Sequence, residues 1–106
     1  MKVSAFIGYV GSPDLHDGFI RKITRRAGVV HVLVRCAKGQ DYDVAFNGVR
    51  RVQENQAAGR TLYAISEMRG PSPIRKFIFD GWSEDGQAAL EIDAEQFRIS
   101  RVAPRA

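Results

Sequence analysis

The segment at residues 29–37 constrains this chain more than any other. Val30, Val32, Val34 and Cys36 alternate with Val29, His31, Leu33 and Arg35. Successive side chains on a strand point to opposite faces, so this stretch presents one wholly apolar face and one mixed face. Such a face has to be covered by a second layer, and the neighbouring sequence supplies further strands. Residues 19–24 read as a first strand, ended by Arg25-Arg26-Ala27-Gly28. Lys38-Gly39-Gln40-Asp41 has hairpin length, and residues 42–46 follow with Tyr42, Val44 and Phe46 on one side. Asn47-Gly48 breaks or bulges that strand before Val49 and Val52.

Residues 53–60 are polar and read as a connection with one helical turn. Residues 61–67 make a fourth strand, stopped by Gly70-Pro71-Ser72-Pro73, and residues 74–80 a fifth, with Arg75, Phe77 and Phe79 on one face. In the last segment Leu90 and Ile92 alternate with Glu91 and Asp93. Phe97 resumes an odd number of positions later, so a bulge or tight turn near Ala94-Glu95 is needed to keep all the apolar residues in one core. At the N-terminus Phe6, Ile7 and Val10 form a short helical stripe, with Val3 one turn earlier and Ser4 in position to cap it. These residues also suit a strand; a short helix over residues 3–10 is the reading adopted. The expected architecture is mainly β, α+β at most. A six- or seven-stranded antiparallel meander over residues 17–102 curls into a roll or partial barrel, and residues 1–106 form one domain.

Composition narrows the function classes. The 106 residues are 44% hydrophobic and 26% charged, ordinary proportions for a folded domain. A single cysteine excludes an intrachain disulfide framework and a Cys-ligated zinc module. No apolar run approaches the roughly 18 residues of a membrane-spanning helix, and no signal-peptide pattern opens the sequence. A cytoplasmic protein is expected. Arginine outnumbers lysine twelve to four within a formal charge of +4.

Candidate chemistry is sparse. His16-Asp17 sits at a loop-to-strand junction, where such a pair serves metal binding or acid–base work. Neighbours on an extended chain face apart, and the other histidine, His31, lies in mid-strand at no metal-ligand spacing. Cys36 on the apolar face reads as a small hydrophobe. Glu67, Glu91 and Asp93 alternate with apolar residues, as solvated strand positions do. The glycines form no phosphate loop. No catalytic set, metal site or cofactor is expected; a small enzyme using His16, Asp17 and Glu67 is the lesser alternative. Among basic residues, Arg21, Lys22, Arg25 and Arg26 gather around the first hairpin, with Arg50-Arg51 and Arg75-Lys76 on later strands. Arginine makes bidentate phosphate contacts, and Phe19, Tyr42, Phe77 or Trp82 exposed between them would form a single-stranded nucleic-acid platform. On regular strands, however, Arg50 and Arg51 would point to opposite faces.

Four stretches carry a resemblance: Leu15-His16-Asp17-Gly18-Phe19-Ile20, Phe46-Asn47-Gly48-Val49, Leu62-Tyr63-Ala64-Ile65-Ser66-Glu67 and Ala89-Leu90-Glu91-Ile92-Asp93-Ala94. Together they resemble small bacterial β-rich proteins of unknown function, some grouped with immunity proteins of polymorphic toxin systems. The resemblance implies a helix followed by a β meander and no catalytic residues. The leading expectation is a non-enzymatic module that binds a protein partner, immunity-like in its sharpest form. Its candidate binding residues are His16, Asp17, Arg21, Arg25, Arg26 and Glu67. RNA or single-stranded DNA binding through the arginine-rich hairpin is the second expectation. No membrane partner is expected, and the open edges of a meander suit homodimer formation. The net charge of +4 departs from what neutralising a basic nuclease toxin would call for.

Overall fold

A computed structural model describes residues 6–10, 17–70, 73–81 and 88–102. These residues form nine strands: β1 (Phe6–Val10), β2 (Gly18–Arg26), β3 (Val29–Arg35), β4 (Asp41–Asn47), β5 (Arg51–Glu54), β6 (Thr61–Arg69), β7 (Arg75–Gly81), β8 (Leu90–Ala94) and β9 (Gln96–Arg101). The fold is all-β, with two antiparallel sheets, one of them curled into a half-barrel. No helix occurs among the described residues, and none there is long and apolar enough to cross a membrane.

Three expectations need correction. Residues 6–10 of the expected N-terminal helix form β1, paired antiparallel with β6, while residues 3–5 lie outside the described residues. Ile7 is 55% exposed and Val10 packs on the core, a sidedness that the helical stripe did not anticipate. Strand-forming Ile, Tyr and Val next to an open edge of β6 favour the ladder over an isolated helix of about two turns. The expected helical turn in residues 53–60 is replaced by the end of β5 and tight turns. Finally, the described strands number more than the six or seven expected, because the chain kinks twice where it passes between sheets.

Those kinks set the topology. The local hairpins β2–β3–β4 and β6–β7–β8 follow the expected meander. Beyond them, β4 pairs β9 and β5 pairs β8, so the segments β4–β5 and β8–β9 run antiparallel as one bent ribbon shared by both sheets. A second junction is short, Gly18 opposite Leu62 and Phe19 opposite Thr61. The bend at Glu95 between β8 and β9 is the irregularity that the spacing of Ile92 and Phe97 demanded. It leaves Leu90, Ile92 and Ala94 buried and Phe97 and Ile99 packed against the same core.

Alternation then fills the interior. Val30, Val32, Val34 and Cys36 are buried as expected, and Phe46, Val44 and Tyr42 stand opposite the three valines across the β3–β4 ladder. Phe46 joins the sheets: its ring centroid lies 5.1 Å from Phe77 and 5.8 Å from Phe79 on β7. Fully burying each such side chain is worth about 1.5–3 kcal/mol.

Gly48 occupies the kink with φ of 64°, and a Cβ there would collide with the Glu95 carboxylate. Gly59 has φ of 88° with open space around it. Left-handed backbone costs a non-glycine residue about 1–3 kcal/mol. Gly48→Ala should therefore lose more stability than Gly59→Ala in urea unfolding, the difference reporting the collision with Glu95. Equal losses would show that the kink tolerates the added methyl group.

Candidate functional site

The β2–β3 hairpin ends in a two-residue turn, Ala27-Gly28, with φ of 48° and 77°. Both values are positive, the geometry that matches the twist of a tight hairpin. This tip rests on the kink: the Val49 amide donates to the Gly28 carbonyl at 3.1 Å. Immediately beyond, the Arg50 amide donates to the Asp93 carbonyl at 2.7 Å, while Arg51 is the residue paired opposite Asp93. Two consecutive residues thus oppose one, which is a bulge, and the strict alternation of faces lapses there.

The consequence is a groove of about 340 Å³ lined by Arg25, Arg26, Arg50 and Arg51 together with the turn and Val29, Val49 and Val52. The side chains of these arginines are lightly engaged. Arg25 lies 4.0 Å from Glu54 and Arg50 3.6 Å from Glu95, with the arginine side chains 55% and 62% exposed. Arg51 donates to the Gln53 amide oxygen at 3.1 Å, and Arg26 makes no ion pair among the described residues. Long, exposed pairs of this kind are weak, so these groups can exchange their present partners for an incoming anion at little cost. Arg25 and Arg26 are among the candidates expected from the sequence, whereas regular alternation would have turned Arg50 and Arg51 to opposite faces. The flagged Asn47-Gly48 break was the available signal that alternation would fail just there.

The other candidates lie elsewhere. Arg21 belongs to the outer face of the β2–β3–β4 sheet, where it donates to Asp41 at 3.2 Å. Arg35 donates to the same carboxylate at 2.9 and 3.3 Å. The hydrogen bonds from Arg35 hold the Asp41 carboxyl below its ordinary range. Asp17, with φ of 65°, precedes β2 and donates its amide to the Leu62 carbonyl at 3.0 Å. His16 and Trp82 lie outside the described residues. Of the other proposed stacking aromatics, Phe77 is fully buried and Tyr42 packs on the core, leaving Phe19 exposed. No cluster of three or more His, Cys, Asp or Glu suited to a metal ion occurs among the described residues.

Glu67 corrects its solvated reading. It faces inward opposite Phe77 with a side chain only 11% exposed. Arg75 donates to it through Nε and Nη2, both at 2.8 Å. The Arg75 guanidinium also lies over Phe77 and Phe97, at 5.1 and 5.3 Å from the ring centroids. A carboxylate between apolar neighbours signals solvent only when nothing nearby can pair with its charge; here a cation from the next strand does. The bidentate contact from Arg75 lowers the Glu67 pKa against the opposing effect of burial.

A carboxyl whose folded pKa is depressed contributes stability above its unfolded pKa and loses it as pH falls through the folded value. Unfolding free energy should accordingly decline on acidification below about pH 4.3, the ordinary glutamate value. Glu67→Gln should shallow that decline and cost about 1.5–3 kcal/mol at neutral pH, as loss of charged hydrogen bonds does. An unchanged pH profile would show that other carboxylates carry the acid sensitivity. Compared with protein-family models, curated proteins and solved structures, the chain shows no match in any of the three.

Proposed function

We propose that this chain is a non-enzymatic binding module that recognises an acidic surface of a protein partner through the arginine groove. The observation that carries this reading is that Arg25 and Arg26 beside one turn and Arg50 and Arg51 beside another line a single groove. Planar guanidinium groups grip carboxylates bidentately, and arginine is favoured at the energetic centres of protein interfaces. The valines between them offer apolar contact area. Among the described residues no aromatic side chain lines the groove, which favours a carboxylate-bearing partner over single-stranded nucleic acid, whose bases need stacking surfaces. The resemblance to proteins grouped with immunity functions points to the same class of role. The basic groove selects an acidic partner, so an immunity role would be directed at an acidic target.

Fluorescence anisotropy with a labelled oligo-glutamate peptide and a labelled oligo-deoxythymidylate of equal charge tests this. The peptide should bind more tightly. Binding should weaken with added salt as the charges are screened and fall about tenfold or more in the double variant Arg26→Glu/Arg51→Glu. Both side chains are exposed, and an unchanged unfolding midpoint would confirm that the variant folds. Tighter binding of the oligonucleotide would establish the nucleic-acid reading instead, and binding of neither would remove the groove from consideration.

A further inference from the structure

Next to the arginines lies a strand edge that no other described strand pairs. β5 ends the sheet path, and β8 is its only pairing partner among the described residues. The pairing alternation settles which amides face outward. Asn55 donates to the Ala89 carbonyl at 2.9 Å, and Arg51 and Gln53 share its parity opposite Asp93 and Glu91. In an antiparallel ladder these positions direct N–H and C=O to the partner, so those of Val52 and Glu54 point away from β8. Arg51 and Val52 on this strand line the groove, as do Arg25 and Arg26 on the hairpin tip.

From this juxtaposition we infer that an extended, acidic segment of the partner protein adds as a strand to the open edge of β5, its carboxylates held by the arginines. The inference rests on the acidic-partner reading and specifies how that partner is gripped. Strand addition draws affinity from main-chain hydrogen bonds and selectivity from alternate side chains. Here the backbone of Val52 and Glu54 supplies the first and the arginines that line the groove the second. A second copy of this chain fits poorly: a two-fold contact would set one arginine cluster against the other, in molecules that each carry +4. A nucleic-acid backbone lacks the row of amide donors and acceptors that the edge would pair.

The test uses the full-length chain, 15N-labelled, and an alternating Glu-Val octapeptide, alongside the same peptide N-methylated at alternate residues. On binding, the Val52 and Glu54 amides should exchange with solvent about tenfold more slowly or better, as newly paired amides do. N-methylation, which removes the peptide's ladder donors, should weaken binding by a similar factor. Suppose instead that the unmodified peptide binds and Arg26→Glu/Arg51→Glu weakens it, yet Val52 and Glu54 keep their free-state exchange and N-methylation has no effect. Strand addition is then overturned while the acidic-partner reading stands. Absence of peptide binding, or binding indifferent to the arginine substitutions, overturns both.

Discussion

The bent ribbon made of β4–β5 and β8–β9 is the constraint on which the rest of the structure depends. Each of its two chains belongs to both sheets, so neither sheet can shift without moving the other. The bend is made by unequal chain lengths: residues 48–50 lie on one side and a single residue, Glu95, separates the strands on the other. Gly48 supplies the left-handed backbone, and the Glu95 side chain fills the space where any other residue would carry its Cβ. Glu95 in turn donates its amide to the Asn47 carbonyl at 3.1 Å, which keeps the ladder continuous through the turn.

Two features follow from that bend. One is the inward stacking of Phe46, Phe77, Phe79 and Phe97, which meet because the ribbon folds β4 and β9 over β7. The Glu67–Arg75 pair sits beside this cluster, with the guanidinium lying over two of the rings. Cation–π contact and bidentate hydrogen bonding together compensate for placing charge near the core. The other feature is the groove. The bulge at Arg50-Arg51 exists because the ribbon must gain a residue, and the hairpin tip docks there because Gly28 offers its carbonyl to Val49. The same irregularity that joins the sheets thus assembles the basic surface proposed for partner recognition.

Much of the fold was legible in the residues. Period-two alternation located β2, β3, β4, β6 and β7 nearly to their ends, because the outward and inward directions of a strand are a local property of the backbone. The odd spacing between Ile92 and Phe97 required the bend at Glu95. β1 was misread because five residues of mixed Phe, Ile, Gly, Tyr and Val satisfy both a helical and a strand pattern. The available edge of β6 made the choice. Glu67 was misread because its partner, Arg75, stands on another strand, and alternation says nothing about which side chain a neighbouring strand sets beside a residue.

The candidate site was legible only in its parts. Arg25-Arg26 and Arg50-Arg51 are evident as basic pairs, and Asn47-Gly48 as an interruption. That the two pairs surround one groove depends on a hairpin tip meeting a kink more than twenty residues further along. By itself the sequence determined a mainly β chain with a buried cysteine, an excess of arginine and a forced irregularity on each side of the ribbon, since these follow from local periodicity and composition. Which strand edges meet, which charges are drawn inside and which arginines converge were decided by the tertiary structure alone. Those outcomes depend on pairing between distant segments, where the burial of one shared core selects a single register from many that the local pattern allows.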